Sequence, residues 1–280
     1  KIMRIDSHHH FWNYSAEEYG WIGEGMEVLR RDFGPGDLQQ EIEPAGIDAV
    51  ISVQARQTVE ETRWLLEIAN ENAMIPAVVG WLPLADASVE PEIEKWSQHA
   101  KLKSLRHVVQ DEPDDAFILG ADFNRGVGLL HKYGLVYDIL IFGKHLTNTI
   151  TFVDQHPNQA FVLDHIAKPT IVASEFDESW KSGLQELARR ENVTCKFSGV
   201  VTEVRDADWS VETIQPYWDV ALEAFGSKRL MYGSDWPVCL LKSGYGRWVD
   251  AVKELSSTLS SSEQEDFWGN NAAAAYRIEI

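Results

Sequence analysis

Residues 49–84 read AVISVQARQTVEETRWLLEIANENAMIPAVVGWLPL, and this stretch decides the fold. Residues 49–55 (AVISVQA) form a short apolar run rich in β-branched side chains. Residues 58–72 (TVEETRWLLEIANEN) bring Val59, Leu65, Leu66, Ile68 and Ala69 near one face at helical spacing. Residues 77–84 (AVVGWLPL) are apolar again. Strand, helix and strand at these lengths join two parallel strands through a crossover.

The same alternation extends both ways. Further strands are expected at residues 3–11, 102–109, 135–141, 161–167, 193–198 and 230–235. Helices are expected at 122–133, 146–156, 180–191, 211–225, 249–259 and 263–276. Eight strands alternating with helices in 280 residues imply an α/β protein, a single-domain (β/α)8 TIM barrel spanning 1–280. The rival is an open doubly wound sheet. Residues 13–36, rich in Gly, Glu and aromatics, are the longest insertion after a strand, and a lid over one end of the barrel is expected there.

Composition narrows the partners. Lys and Arg total 25 against 44 Asp and Glu, a formal charge of −19. That field argues against nucleic acid and anionic membrane as partners. No apolar run approaches the roughly 18 to 20 residues of a membrane span. Cys195 and Cys239 are too few for a disulfide framework. The first residues carry no signal-peptide pattern, so a cytoplasmic location is expected, and a homo-oligomer is compatible with the sequence.

A parallel barrel places its active site at the C-terminal ends of the strands. Of nine histidines, His8, His9, His10, His107, His145 and His165 fall at or just past such ends. On the first strand, alternation puts Asp6, His8 and His10 on one face and His9 on the other. Two imidazoles one residue apart on a strand can converge on one metal ion. His9 is expected to pack behind the barrel. Asp235 ends the eighth strand, next to the first in a closed barrel, and a carboxylate there can take a proton from water. The sixth strand offers His165 and Lys168, with Asp164 assigned by alternation to the outer face. Arg106 and His107 on the fourth strand suit substrate contacts. Gln54, Arg56, Asp138, Lys144 and His145 are weaker signals at other strand ends. No G-x-S-x-G elbow and no phosphate-binding glycine loop is present.

Three motifs together carry a family resemblance. Asp6-x-His8-x-His10-Phe11-Trp12, Asp164-His165-x-x-Lys168-Pro169 and Gly233-Ser234-Asp235-Trp236-Pro237 resemble the amidohydrolase superfamily. The branch is the small amidohydrolase-2-like one that contains sugar-lactone and pyrone-dicarboxylate lactonases. Residues 106–113 (RHVVQDEP) and 196–199 (KFSG) fit the same branch.

The resemblance implies a hydrolase opening a small lactone, first of all a sugar-1,4-lactone. The alternatives it carries are a dicarboxylate lactone and a metal-dependent decarboxylation. It implies a metal set of His8, His10, His165 and Asp235, with Asp235 and His165 catalytic. The implied cofactor is one divalent ion, zinc foremost, in a branch where some members work without metal. Arg106 stands where binuclear members bridge two metals, so a two-metal centre is not expected. Trp12, Gln54, Arg106, His107, His145, Lys168 and Trp236 are the expected substrate contacts, with Tyr14, Tyr19 and Trp21 of the insertion stacking on a sugar ring. The pocket is expected to be locally basic around Asp235, with the acidity spread over the outer surface.

Overall fold

The structure is a computed structural model that describes residues 2–279. Eight strands form one parallel sheet in sequence order: β1 (Ile5–His9), β2 (Ala49–Val53), β3 (Ala77–Gly80), β4 (Leu102–His107), β5 (Val136–Ile139), β6 (Phe161–Leu163), β7 (Val193–Phe197) and β8 (Leu230–Tyr232). The curved sheet closes where β8 meets β1. His10 N–H donates to Trp236 O at 2.7 Å, and Asp235 N–H donates to His8 O at 2.8 Å. The fold is therefore a TIM barrel, and its seam runs through the residues that carry the strongest sequence motifs.

Helices cover the outside in the expected alternation. They are α1 (Pro35–Ala45), α2 (Val59–Glu71), α3 (Glu90–Trp96), α4 (Ala121–Val127), α5 (Leu146–Asp154), α6 (Glu178–Ala188), α7 (Val211–Phe225) and α8 (Tyr245–Leu255). Thr58 caps α2 by accepting from Glu61 N–H, which satisfies one of the free donors of its first turn. Sequence periodicity does not reveal α1 and α3. Each opens with Pro in its first turn and carries Glu or Gln on half or more of its non-core positions, so only two or three apolar residues mark its buried face.

The barrel interior is filled by small and branched side chains: Ile5, Ala49, Ile51, Val53, Ala77, Val79, Val136, Val162 and Met231. Two short terminal helices, α9 (Ser261–Glu265) and α10 (Asn271–Ala275), end the chain. Ala272, Ala273 and Tyr276 join the interior cluster, so the chain end plugs the barrel opposite the site. No described helix is long and apolar enough to cross a membrane. Both cysteines are free and buried.

The strands are shorter than the apolar runs suggest, and the consequence is largest at β6. It ends at Leu163 rather than 167. His165, Ile166, Ala167 and Lys168 then follow with φ of 55°, 48°, 63° and 48°. Left-handed backbone costs a non-glycine residue roughly 1–2 kcal/mol, and such runs gather at functional sites.

Candidate active site

The cavity at the C-terminal ends of the strands holds about 670 Å³. His10, His165 and Asp235 form its floor, with Arg106 and Lys168 beside them. His8 lies just beneath and is fully buried.

Asp6 does not share the inward face expected of it: Ile5 fills the interior, and a register shift between Asp6 and His9 turns His8 and His10 inward while Asp6 faces α8. Its Oδ1 accepts from the backbone N–H of His8 and of Ser234, and its Oδ2 accepts from Tyr245 O–H. This buried carboxylate ties β1 to the loop after β8, and so sets the histidine pair against Asp235. His9 turns away, as alternation requires. Its Nε2 lies 2.7 Å from Ser52 Oγ and its ring packs on Phe11.

His8, His10 and Asp235 bring three ligand atoms together. His8 Nε2 and His10 Nε2 are 3.2 Å apart, and Asp235 Oδ1 lies 3.7 and 3.3 Å from them. His10 Nδ1–H donates to Val53 O at 2.9 Å, which leaves the Nε2 lone pair facing the carboxylate. Lone pairs aimed at one another in a dry pocket call for a cation between them, and the donor types are those of divalent metals. Gly199 leaves space at the same place. A Cβ there would stand 2.7 Å from His165 Nδ1 and 3.0 Å from Asp235 Oδ2, and its φ of +63° also favours glycine.

Electrostatics suit this use. Burial drives the His165 imidazole down to about 4, only partly countered by Asp235 and Asp164. Burial likewise lowers His8, with Lys196 adding to the effect. Burial raises the Asp235 carboxyl, but the surrounding imidazoles, His165 foremost, outweigh it and leave it below the usual range. Neutral imidazoles and an ionised carboxylate are the forms that ligate metal.

The expected outward position of Asp164 is corrected. The strand has ended before Asp164, so alternation no longer applies, and the left-handed turn keeps both Asp164 and His165 inside. Asp164 Oδ2 accepts from Arg106 Nη1 at 3.1 Å, and its Oδ1 lies 3.5 Å from His8 Nδ1. That carboxylate can hold the His8 Nδ1–H and so present Nε2 to a metal. His165 lies 3.8 Å from Asp235 Oδ1, at the edge of the His8–His10–Asp235 set.

The structure sorts the expected substrate contacts. Trp12, Arg106 and Lys168 line the cavity. Gln54 lies behind Arg106 and clamps it: its Oε1 accepts from Nε and its main-chain O from Nη2, both at 2.7 Å. One N–H on each terminal nitrogen of Arg106 remains for a ligand. His107, His145 and Trp236 do not line the cavity. His107 accepts from Trp81 N–H and donates to Glu112, in an aromatic stack with Phe117. His145 caps its own turn by accepting from Phe142 N–H. Trp236 is buried against Phe11 and Phe33.

The insertion contributes more selectively than its aromatics suggest. Trp12 and Phe33 exchange backbone hydrogen bonds that pinch its neck. Of its residues, Glu18, Trp21 and Met26 reach the cavity, while Tyr19 packs under Trp12. Glu18 pairs with Arg56 at 2.7 Å. Glu203 and Arg205, paired at 3.1 Å, complete the wall and carry no sequence signal beyond their place after β7.

The pocket is not basic. Arg56, Arg106, Lys168 and Arg205 face Glu18, Asp111, Glu203 and Asp235, four cations against four carboxylates. Tertiary pairing draws acids of the insertion and of the loop after β7 into the mouth, which strand-end reading does not capture.

A TIM barrel with a His-x-His pair on β1, an inward His after β6 and an Asp after β8 carries the donor set of a metal centre at the end of the barrel where barrel enzymes act. The chain belongs to the amidohydrolase family, whose model matches residues 5–278. It is 42% identical to an L-fucono-1,5-lactonase of Burkholderia multivorans, over 99% of this chain and 96% of that one. A second L-fucono-1,5-lactonase, from Burkholderia ambifaria, is 32% identical over the same shares. The crystal structure of a Burkholderia multivorans amidohydrolase with bound zinc superposes with a TM-score of 0.95 at 41% identity, covering 99% of this chain and all of that one.

Proposed function

We propose that this protein is a lactonase that opens a sugar lactone, with a 1,5-lactone such as L-fucono-1,5-lactone the first candidate. The observation that carries the reading is the His8–His10–Asp235 set on the floor of a cavity whose walls suit a neutral, hydroxylated ligand. The ring size follows the two curated relatives rather than the 1,4-lactone expected from sequence.

His8, His10 and Asp235 would hold one divalent ion, zinc in this reading, since the similar amidohydrolase structure contains bound zinc. Such an ion supplies Lewis-acid polarisation and lowers the pKa of a nearby water. Asp235 accepts the proton of the attacking water as the oxygen reaches the lactone carbonyl carbon. Arg106, with two N–H groups free, and His165 face the developing oxyanion. Collapse of the tetrahedral species breaks the ring C–O bond, and the leaving alkoxide takes the proton back from Asp235. The product is a hydroxy acid whose carboxyl releases its remaining proton to solvent, and the resulting carboxylate meets Arg106 and Lys168. Trp21, backed by the buried Trp12, offers an apolar face to the sugar, and Glu18, Arg56, Glu203 and Arg205 offer partners to its hydroxyls.

The balanced wall charge disfavours a dicarboxylate. Three of the four cations already have an acidic partner: Arg56 with Glu18, Arg106 with Asp164 and Arg205 with Glu203. The two reduced cysteines fit a cytoplasmic place of action.

A proton-release assay over a panel of sugar 1,4- and 1,5-lactones, with metal content measured on the same sample, tests the reading. Turnover of sugar 1,5-lactones is expected. Silence across the sugar panel with turnover of a pyrone dicarboxylate lactone would overturn it.

A further inference from the structure

Beneath the cavity floor lies a buried group that the hydrolytic reading does not use. Lys196, on β7, is fully buried. Its Nζ is 2.8 Å from Asp138 Oδ2, 3.2 Å from Asp164 Oδ1 and 3.1 Å from His8 Nδ1. An ammonium has three N–H donors and no acceptor, so Asp138 and Asp164 are its ion-pair partners, while His8 Nδ1, whose proton turns to Asp164, lies alongside. The nest continues on every side. Ser104 O–H and Tyr276 O–H both donate to Asp138 at 2.7 Å, and the Tyr276 ring lies 5.3 Å from Nζ. Arg106 holds the other oxygen of Asp164. Two carboxylates and two cations are thus enclosed in one network.

The position has a second meaning. His8, Asp164 and His165 form another set of ligand atoms within 4.8 Å of one another, sharing His8 with the set on the floor. By ligand type this set would also suit a divalent ion. Two of its three members already face the Lys196 ammonium. A metal there would stand beside a fixed positive charge in a dry interior, where like charges repel most strongly.

We propose that Lys196 is a resident cation that takes the place of a second metal ion and restricts the centre to one. It supplies the positive charge that Asp138 and Asp164 require. Through Asp164 it holds His8 in place, so it is a positioning residue that touches neither water nor substrate. The inference rests on the reading of His8, His10 and Asp235 as the metal site.

Anomalous scattering at the zinc edge, on wild-type crystals soaked in excess zinc, tests it directly. One peak among His8, His10 and Asp235 is expected, with none between His8, Asp164 and His165. Peaks at both sets would overturn this inference alone. Peaks at neither would overturn the metal reading and this inference with it. In Lys196→Gln the buried carboxylates lose their cation, and zinc content after gel filtration is expected to rise from one to two equivalents per chain. The second equivalent is expected to vanish when Asp164→Asn is added. A folded Lys196→Gln protein that stays at one equivalent would overturn the proposal. Lys196→Met with Asp138→Asn removes a buried charge of each sign, and the same rise to two equivalents is expected in it.

Discussion

The ends of β1 and β6 both deliver an imidazole to the same carboxylate, by opposite means. β1 does so with extended strand: past a register shift between Asp6 and His9, alternation faces His8 and His10 inward and His9 outward. β6 stops three residues after it starts and gives way to four successive left-handed residues. Regular strand geometry can present one residue in two. The strained turn instead brings Asp164 and His165, which are adjacent in sequence, into one interior. Asp235, after β8, also has a positive φ, of 57°. The site is thus half built from extended strand and half from left-handed backbone that only the surrounding packing can hold.

Asp235 is where the two ends meet, so its replacement should have the largest effect. Asp235→Asn is expected to lower kcat by roughly 10²–10⁴-fold, the usual worth of a general base, with an unchanged circular dichroism spectrum. Normal turnover by this variant would remove Asp235 from the chemistry.

The two ends should then separate. His10→Gln is expected to lose zinc, and its lost activity should return only with added metal. His165→Gln is expected to keep its zinc and to lose kcat by on the order of 10²-fold, as for a removed oxyanion donor. Equal zinc loss in both would make the ends equivalent ligand carriers and erase the distinction drawn between them.

Each end also carries a histidine that burial keeps neutral, His9 at about 3 and His165 at about 4. In the unfolded chain both titrate near 6.5. Between these values the unfolded state binds more protons, so their stabilising effect is complete above about pH 6.5 and is lost as pH falls through 4 and then 3. The urea midpoint is expected to fall steadily from pH 7 to pH 4. His9→Gln should flatten part of that slope, and an unchanged slope would show that acid sensitivity arises elsewhere.

The smallest effect concerns backbone alone. Ala167→Gly relieves a left-handed residue at about 1–2 kcal/mol and gives up one buried methyl at about 0.8 kcal/mol. The net change should lie within about 1 kcal/mol of zero or be stabilising. Ser7→Gly, on β1, should destabilise by about 1 kcal/mol or more, since it loosens an extended segment without left-handed backbone and removes the hydrogen bond to Tyr232 O. Equal losses in urea titrations would mean that the β6 turn stores no strain.

Much of this was legible in the sequence. Eight apolar runs at near-regular spacing require parallel pairing. Local period then places His8, His10 and Asp138 inside and His9 outside. What escaped depends on contacts between segments distant in the chain. Alternation alone puts Asp164 outside, but the strand ends before it. His107 and His145 sit at strand ends, yet each ring is captured by its own neighbourhood, Trp81 and Glu112 for one and the Phe142 turn for the other. Glu18, Glu203 and Arg205 reach the cavity only because the insertion folds back over Trp12 and the loop after β7 turns inward. Lys196, an isolated ammonium between apolar neighbours on β7, is a readable sign of a buried charge, though its partners come from distant strands.

The sequence by itself determined the barrel and the β1 ligand pair, because hydrophobic periodicity and side-chain alternation act over a few residues. Tertiary structure alone decided the charge balance of the pocket, the inward turn of Asp164 and the enclosure of Lys196 between two carboxylates. Those outcomes depend on where each strand stops and on which ions are paired away from water, and both are settled by packing across the whole barrel.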